Sequence, residues 1–105
     1  MINDLSPKQF RDYINIHEVT LVDVREDWEL EICQIDGSIC MPMSNINVTI
    51  MELDKENGIA LYCHHGIRSM QAANILMSKG FRLLVNLHGG IDAWAREIDA
   101  SMARY

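Results

Sequence analysis

The stretch IALYCHHGIRS, residues 59–69, places an apolar run, a cysteine, a glycine-containing turn and the start of a helical pattern one after another. Residues 59–62 are apolar throughout and have a length that suits a strand covered on both faces, so we predict that they form the central strand. A helix is predicted from about Ile67, and Gly80 is predicted to end it as a C-terminal cap. Its apolar face is expected to contain Met70, Ala73, Leu76 and Met77. A strand, a turn and a helix in this order form the repeating unit of a parallel sheet flanked by helices.

Apolar runs on both sides of this stretch supply further strands of the same sheet. VTLVDV (residues 19–24) is a β-branched run, and LLVNL (residues 83–87) is a second apolar run. Gly37 leads into a third, brief strand that Pro42 stops. The sequence therefore predicts strands that alternate with helical segments.

Helical patterns lie between these strands. Ser6 followed by Pro7 predicts a helix start, and this helix should end near residues 15–17. Further helices are predicted around Trp28, from a cap at Ser44 or Asn45 to Leu53, and over residues 91–98. We predict one compact α/β domain over residues 1–105, with a central parallel sheet flanked by helices and a core at about residues 4–98.

Charge and composition narrow the classes of function. The 105 residues carry a net charge of -6 and a pI near 5.0. Proteins that bind nucleic acid need clustered Lys and Arg, so we do not expect nucleic acid as a partner. No stretch resembles a signal peptide or approaches the roughly twenty apolar residues that span a bilayer, so we expect a cytoplasmic protein with no membrane partner. The three cysteines are an odd number, and a disulfide framework is not expected. We expect a monomer, although a chain of this length equally permits a dimer.

Cys63 lies at the carboxyl end of the predicted central strand and immediately before a helix, where open α/β sheets bind ligands. If residues 64–69 curl around its sulfur, several backbone N–H groups and the positive helix N-terminus would stabilise a thiolate. Arg68 would add a permanent positive charge, and Ser69 a hydrogen-bond donor. Gly66 suits a backbone that needs a positive φ or a close approach to a ligand. The alternative is a buried structural thiol that packs as a small apolar residue.

The order and spacing of these motifs resemble the rhodanese-like sulfurtransferases. The resemblance rests on the loop CHHGIRS and on four further stretches in register, namely LVDVRE (21–26), the segment from Gly37 to Pro42, GF (80–81) and LHGGIDAW (87–94). It implies a rhodanese fold and a cysteine that takes a sulfane sulfur from thiosulfate, a polysulfide or a persulfide. The cysteine then passes this sulfur to a thiophilic acceptor, which is cyanide or a thiol.

The resemblance also implies the residues of the site. Cys63 would be the nucleophile that forms the persulfide. The donor would be bound by His64, His65, Gly66, Ile67, Arg68 and Ser69. The implied partners are a small anionic sulfur donor and a thiol or protein cysteine as acceptor. No cofactor is expected, and no metal, because adjacent residues such as Cys63 and His64 project in different directions and no second ligand pair follows at zinc-like spacing.

Two other functions could use the same fold. A phosphatase-like or arsenate-reductase-like enzyme would use the same anion cradle, but four residues separate Cys63 from Arg68 here, whereas the phosphatases that resemble rhodaneses have five. A noncatalytic interaction module typically lacks the cysteine. Because the chain has both Cys63 and Arg68, the sequence favours sulfur transfer.

Several residues near the loop are expected to be structural. Asp23 and Arg25 follow a predicted strand and are interpreted as a pair that supports neighbouring loops. Cys33 and Cys40 have no glycine loop or nearby cation, so we expect core or half-buried thiols. Residues 33–42 depart from the Gly-His-Ile and Gly-Ala pattern that is usual in the family, which we interpret as altered packing at the rim of the site.

Overall fold

A computed structural model describes all 105 residues and contains a single sheet of five strands. The strands are β1 Ile2–Leu5, β2 Val19–Asp23, β3 Ile39–Cys40, β4 Gly58–Tyr62 and β5 Leu84–Leu87. Their spatial order is β1-β5-β4-β2-β3, and all neighbouring pairs run parallel. The predicted α/β class with a central parallel sheet is therefore confirmed.

Four α-helices connect the strands, and a fifth follows the last strand. They are α1 Pro7–Ile16, α2 Asp27–Leu30, α3 Ile46–Thr49, α4 Ile67–Ser78 and α5 Gly90–Glu97. At the start of α1, Ser6 Oγ accepts a hydrogen bond from Gln9 N–H, and the Gln9 side chain accepts one from Ser6 N–H. This reciprocal cap explains why the helix begins where Ser6 and Pro7 predict it. At the C-terminal end of α4, Gly80 follows the cap residue with a φ of 99° and ends the helix as predicted.

Strand β4 lies at the centre of the sheet, as the apolar run predicts. All five of its residues are buried, because side chains that alternate along a strand point to opposite faces and both faces are covered. Ile59 and Leu61 belong to one hydrophobic cluster, and Ala60 and Tyr62 belong to the other. The two clusters are the cores on the two sides of the sheet.

The helix predicted to run from Ser44 or Asn45 to Leu53 is interrupted. A 3-10 turn at Met43–Asn45 precedes α3, and a second 3-10 turn follows at Ile50–Glu52. Neither predicted cap residue makes a side-chain cap; Ser44 Oγ donates to the Glu26 carboxylate instead. β-Branched residues are frequent in this segment and form helices less readily, so one turn is all that forms.

Both ends of the chain contribute more than the sequence predicts. Strand β1 was not expected, and it pairs in parallel with β5 at the edge of the sheet. Ile2 packs against one hydrophobic cluster, while Met102 and Tyr105 pack against the other. The packed core therefore extends beyond the expected range of residues 4–98.

Two apolar side chains are more exposed than expected. Met77 lies on the outer side of α4, because the small residues Ala72 and Ala73 together with Leu76 provide the buried face of that helix. Cys40 is exposed on the edge strand β3, whereas Cys33 is half-buried as expected.

The carboxyl ends of β2, β4 and β5 meet at one edge of the sheet, because all strands run in the same direction. The residues that follow these three strands are therefore brought together although they are distant in the chain. None of the helices is long and apolar enough to cross a membrane.

Candidate active site

The Cys63 sulfur lies directly after β4, inside the loop that leads to α4. Sγ accepts hydrogen bonds from Gly66 N at 3.1 Å, from Ser69 N at 3.3 Å and from Ser69 Oγ at 3.4 Å. The loop therefore curls around the sulfur with two of its amides turned inward. Donors that converge on a sulfur favour its thiolate form.

Four other amides of this loop have no acceptor within the protein. They are the N–H groups of His64, His65, Ile67 and Arg68. The last two belong to the first turn of α4, where unpaired amides and the helix dipole attract anions. The loop therefore has donors available for an anion in addition to those that hold the sulfur.

Helix α5 and strand β5 hold the backbone of the loop from outside. Ile91 N donates to the Cys63 carbonyl at 2.8 Å, and Asp92 N donates to the His64 carbonyl at 3.1 Å. Asn86 Nδ2, on β5, donates to the Gly66 carbonyl at 3.3 Å. The first turn of α5 thus binds residues 63–69, the cysteine loop, through amides that have no partner within the helix.

Two glycines allow this close approach. Gly66 has a φ of 95°, in the left-handed region that side-chain-bearing residues disfavour. A Cβ on Gly90 would lie 2.6 Å from the Cys63 carbonyl oxygen and would collide with the carbonyl group of His64. The absence of a side chain at Gly90 therefore lets α5 lie against the cysteine loop.

Arg68 binds Glu29 of α2 instead of the sulfur. Its Nη1 and Nη2 donate to the two oxygens of the Glu29 carboxylate at 2.6 Å and 2.8 Å. The Glu29 side chain is only 3% exposed. The sequence predicts a permanent positive charge from Arg68 near the sulfur, and the structure shows that a buried carboxylate compensates this charge.

Further donors hold the Glu29 carboxylate. Tyr105 Oη donates to Oε2 at 2.6 Å, and Glu26 N donates to Oε1 at 3.1 Å. The hydrogen bonds from Arg68 lower the pKa of Glu29 to about 2, assisted by those from Tyr105 and Glu26 and opposed by burial. Glu29 therefore stays ionised at all but strongly acidic pH and keeps Arg68 in place.

Asp23 and Arg25 form a buried ion pair at the exit of β2. Arg25 Nη2 lies 2.7 Å from Asp23 Oδ2 and 2.6 Å from the Cys33 carbonyl oxygen, and Nη1 donates to the Glu29 carbonyl at 3.3 Å. Burial alone would lower the pKa of Arg25, but hydrogen bonds to Asp23 and Tyr105 raise it. The pair ties the exit of β2 to α2 and to the segment after it, which is the structural role that the sequence suggests.

Tyr105 reaches the site from the segment that follows α5. Its hydroxyl accepts a hydrogen bond from Arg25 Nη1 at 3.1 Å while it donates to Glu29. Its ring stacks on the imidazole of His64, with centroids 3.8 Å apart and planes inclined by 11°. Burial, together with Glu29, raises the pKa of Tyr105 to about 12, so the hydroxyl remains protonated and able to donate.

The two histidines of the loop stack on each other, with ring centroids 3.9 Å apart. Burial, followed by repulsion from His65, lowers the pKa of His64. His64 is therefore neutral at pH 7. His64 therefore adds no positive charge to the rim of the site.

His64, His65 and Asp92 have potential metal-ligand atoms that all lie within 4.8 Å of one another. Asp92 is already bound by Arg104 at 2.9 Å and lies 3.6 Å from Arg96. Two guanidinium groups at this carboxylate oppose a cation. The cluster is therefore a poor fit to a metal ion.

The sulfur is closed off from solvent. Cys63 is 1% exposed and lines none of the surface cavities. The largest cavity next to the loop, about 400 Å³, is bounded by Gly66, Ile67 and His88 among others. The expected substrate crevice is therefore not open at the sulfur itself, although the amides of Gly66 and Ser69 face inward as predicted.

Comparison with known proteins gives the family. Residues 6–97 match the family described as Rhodanese-like domain. The chain belongs to the rhodanese-like family. It is 34% identical over 97 residues to a protein named sulfurtransferase from Allochromatium vinosum, and the match covers 91% of each chain. Such relatives support a sulfurtransferase activity for this rhodanese-like chain.

A solved structure supports the same fold. The crystal structure of a rhodanese-related protein from Thermoplasma volcanium is similar with a TM-score of 0.82 at 29% identity, over 91% of this chain and 93% of that one. The sequence is also 35% identical over 104 residues to the probable adenylyltransferase/sulfurtransferase MoeZ of Mycobacterium tuberculosis. That match covers 96% of this chain but 26% of MoeZ, so the rhodanese-like chain spans about a quarter of that relative's length.

Two residues of the site have no signal in the sequence. Glu29 lies in the charged segment after β2, where a carboxylate ordinarily faces solvent, and Tyr105 lies outside the expected core. Arg68 and Glu29 are 39 positions apart, and Tyr105 and Glu29 are 76 positions apart. Contacts over such separations leave no periodic pattern, so only the folded chain reveals them.

Proposed function

We propose that this rhodanese-like protein transfers a sulfane sulfur through a persulfide on Cys63. The observation that carries the proposal is the convergence of Gly66 N, Ser69 N and Ser69 Oγ on the sulfur. These donors favour a thiolate, which is the nucleophilic form of cysteine. The loop of four residues between Cys63 and Arg68 suits a sulfur-sized group better than phosphate.

In the first step the Cys63 thiolate attacks the outer sulfur of the donor. The bond between the two donor sulfurs breaks, and its electron pair leaves with the departing group, which is sulfite or a thiolate. We expect the loop amides that have no acceptor to stabilise the negative charge of the new outer sulfur on Cys63.

In the second step an acceptor attacks the outer sulfur of the Cys63 persulfide. Cyanide becomes thiocyanate, or a thiolate becomes a persulfide, and the electron pair of the broken S–S bond returns to Cys63 as a thiolate. No oxidant or reductant is needed, because the sulfur moves with its oxidation state unchanged. The free enzyme is regenerated.

The remaining loop residues have proposed roles that follow from their positions. His64, His65, Ile67 and Arg68 supply backbone donors, and Arg68 also anchors the start of α4 to Glu29. Because Cys63 is almost fully buried, donor entry requires a local movement of the loop rim. We also propose a cytoplasmic setting, because all three cysteines are free thiols, as a reducing compartment keeps them.

The test is the mass of the intact protein after incubation with thiosulfate, a polysulfide or a small persulfide. We expect a gain of one sulfur atom on Cys63 that cyanide removes. Cys63→Ser should show no gain at this position, while the matched variant Cys40→Ser, which removes an exposed thiol outside the loop, should retain it. Absence of the adduct with all three donors would refute the proposal.

The alternative functions predict different results. An enzyme acting on phosphate or arsenate would release phosphate from an aryl ester without forming a sulfur adduct. A noncatalytic interaction module would do neither. Assays of both reactions on the same preparation separate the three functions.

A further inference from the structure

The positive charge of Arg68 in the cysteine loop is compensated by a carboxylate of the protein itself. Both terminal nitrogens of Arg68 donate hydrogen bonds to the Glu29 carboxylate. The carboxylate accepts further hydrogen bonds from the Tyr105 hydroxyl and the Glu26 amide. A bidentate pair with a carboxylate that is 3% exposed is a fixed arrangement. Arg68 is therefore not available as a free cation for a substrate.

Every other arginine also lies within 3.6 Å of a carboxylate. The pairs are Arg11–Asp12, Arg25–Asp23, Arg82–Glu56, Arg96–Asp92 and Arg104–Asp92. The cavity next to the loop is lined by Asp4 and by no lysine or arginine. Arg96 and Arg104 share the one Asp92 carboxylate, and both side chains are about half exposed. Arg68, the only arginine or lysine in residues 63–69, is fully paired with Glu29.

The histidines do not change this balance. His64 is held neutral by burial and by its neighbour His65, which lowers its pKa. The His65 side chain is 59% exposed, so water screens its interactions with an anion at the sulfur. The fixed donors that remain are backbone amides and the N-terminus of α4, which together act as roughly half a positive charge.

Such a site stabilises one negative charge. The number of negative charges present during the reaction depends on the sulfur donor. Thiosulfate carries two negative charges, so its reaction with the Cys63 thiolate brings three together before sulfite leaves. A persulfide reacts in its neutral form, R–S–S–H, so the thiolate of Cys63 supplies the only negative charge. When the bond between the two persulfide sulfurs breaks, this negative charge departs with the leaving group R–S⁻. The Cys63–S–S–H product then loses its proton to water.

On the basis of the proposed function, we infer that the donor is a thiol persulfide and that thiosulfate is a poor donor. The compensation of Arg68 by the buried Glu29 carboxylate carries this inference. The net charge of -6 adds repulsion of a dianion at longer range.

The first test uses the unmodified protein and measures kcat/KM for loading of Cys63 at several salt concentrations. The donors are thiosulfate and the persulfide of 2-mercaptoethanol, whose R group is uncharged, and peptide mass mapping places the added sulfur on Cys63. Repulsion is screened by salt, so kcat/KM for thiosulfate should rise at least about threefold between about 20 mM and about 300 mM sodium chloride. The value for the persulfide should change less than about twofold.

The second test removes the compensating carboxylate. In Glu29→Gln the charge of Arg68 is no longer neutralised, and the ratio of thiosulfate to persulfide kcat/KM should rise about tenfold. Glu56→Gln makes the same change of net charge beside Arg82, where both side chains are exposed, and should leave the ratio within about twofold of the unmodified protein.

The outcomes separate the inference from the proposed function. If neither donor loads Cys63, the proposed sulfur transfer itself fails. If both donors load Cys63 but thiosulfate is the better one and slows as salt is added, a free cation serves the site and the inference is overturned. The salt measurement decides this even where Glu29→Gln does not fold.

Discussion

At the scale of single residues, the site depends on positions where a side chain is absent. Gly90 has a φ of 64° and lies against the carbonyl groups of Cys63 and His64. The contact lets the amides of Ile91 and Asp92 bind those carbonyls. The conformation of the cysteine loop therefore depends on Gly90, the first residue of α5.

Gly90→Ala should disrupt the cysteine loop. The new Cβ would collide with backbone that has no room to move, so we expect a loss of at least about 3 kcal/mol in the free energy of unfolding. Sulfur loading of Cys63 should fall with it. Urea unfolding and intact mass measure the two effects.

Gly37→Ala is the matched control for this change. Gly37 also has a positive φ, 86°, but a Cβ there would meet nothing within 4 Å. We expect it to cost only the left-handed conformation, about 1 kcal/mol, and to keep sulfur loading. Equal effects of the two substitutions would show that the close approach of α5 is unimportant.

At the scale of elements, the segment after α5 completes the site. Its backbone is fixed by hydrogen bonds from Asp99 N to Trp94 and from Met102 N to Asp99. Arg104 binds Asp92, and Tyr105 then bridges Arg25 and Glu29. A segment without regular secondary structure thus joins β2, α2 and the cysteine loop.

Tyr105→Phe should lower the free energy of unfolding by about 2 kcal/mol, because hydrogen bonds to two charged partners are lost. The ring stays on His64, so the change isolates the hydroxyl. Tyr13→Phe is the control, because the hydroxyl of Tyr13 makes no hydrogen bond within the chain, and a change below about 0.5 kcal/mol is expected. If both variants unfold at the same urea concentration, the bridge adds nothing to stability.

At the scale of the whole molecule, the sheet separates two hydrophobic cores, and β4 contributes to both. The same strand ends at Cys63, so the best-packed element positions the nucleophile. Each arginine lies beside a carboxylate, with Arg96 and Arg104 sharing Asp92, and the chain keeps a net charge of -6. The position of the nucleophile and the pairing of Arg68 with Glu29 thus depend on the entire fold.

Leu61→Ala should destabilise the protein by about 3 kcal/mol, because Leu61 is 0% exposed in the centre of the sheet and its removal leaves a cavity. Leu83→Ala is the control, because Leu83 is 55% exposed just before β5 and should cost less than about 1 kcal/mol. Thermal or urea unfolding of the two variants gives the comparison. Similar losses would mean that β4 is not the centre of the core.

The local sequence was sufficient for four of the five strands, for most helix boundaries and for the cysteine loop. Apolar runs, the Ser6–Pro7 cap and Gly80 act through neighbours a few residues away, so their signals are visible in a short window. The edge strand β1 and the interrupted helix around α3 were less predictable. Pairing at a sheet edge and packing of β-branched residues depend on what lies beside them.

The sequence by itself determined the fold class, the family and the position of the cysteine between a buried strand and a helix, because these depend on local pattern. Only the tertiary structure decided that Arg68 is neutralised by Glu29, that Tyr105 completes the site and that the sulfur is closed off from solvent. Those contacts join residues that are distant in the chain, and their charges are balanced only when the strands bring them to one edge of the sheet.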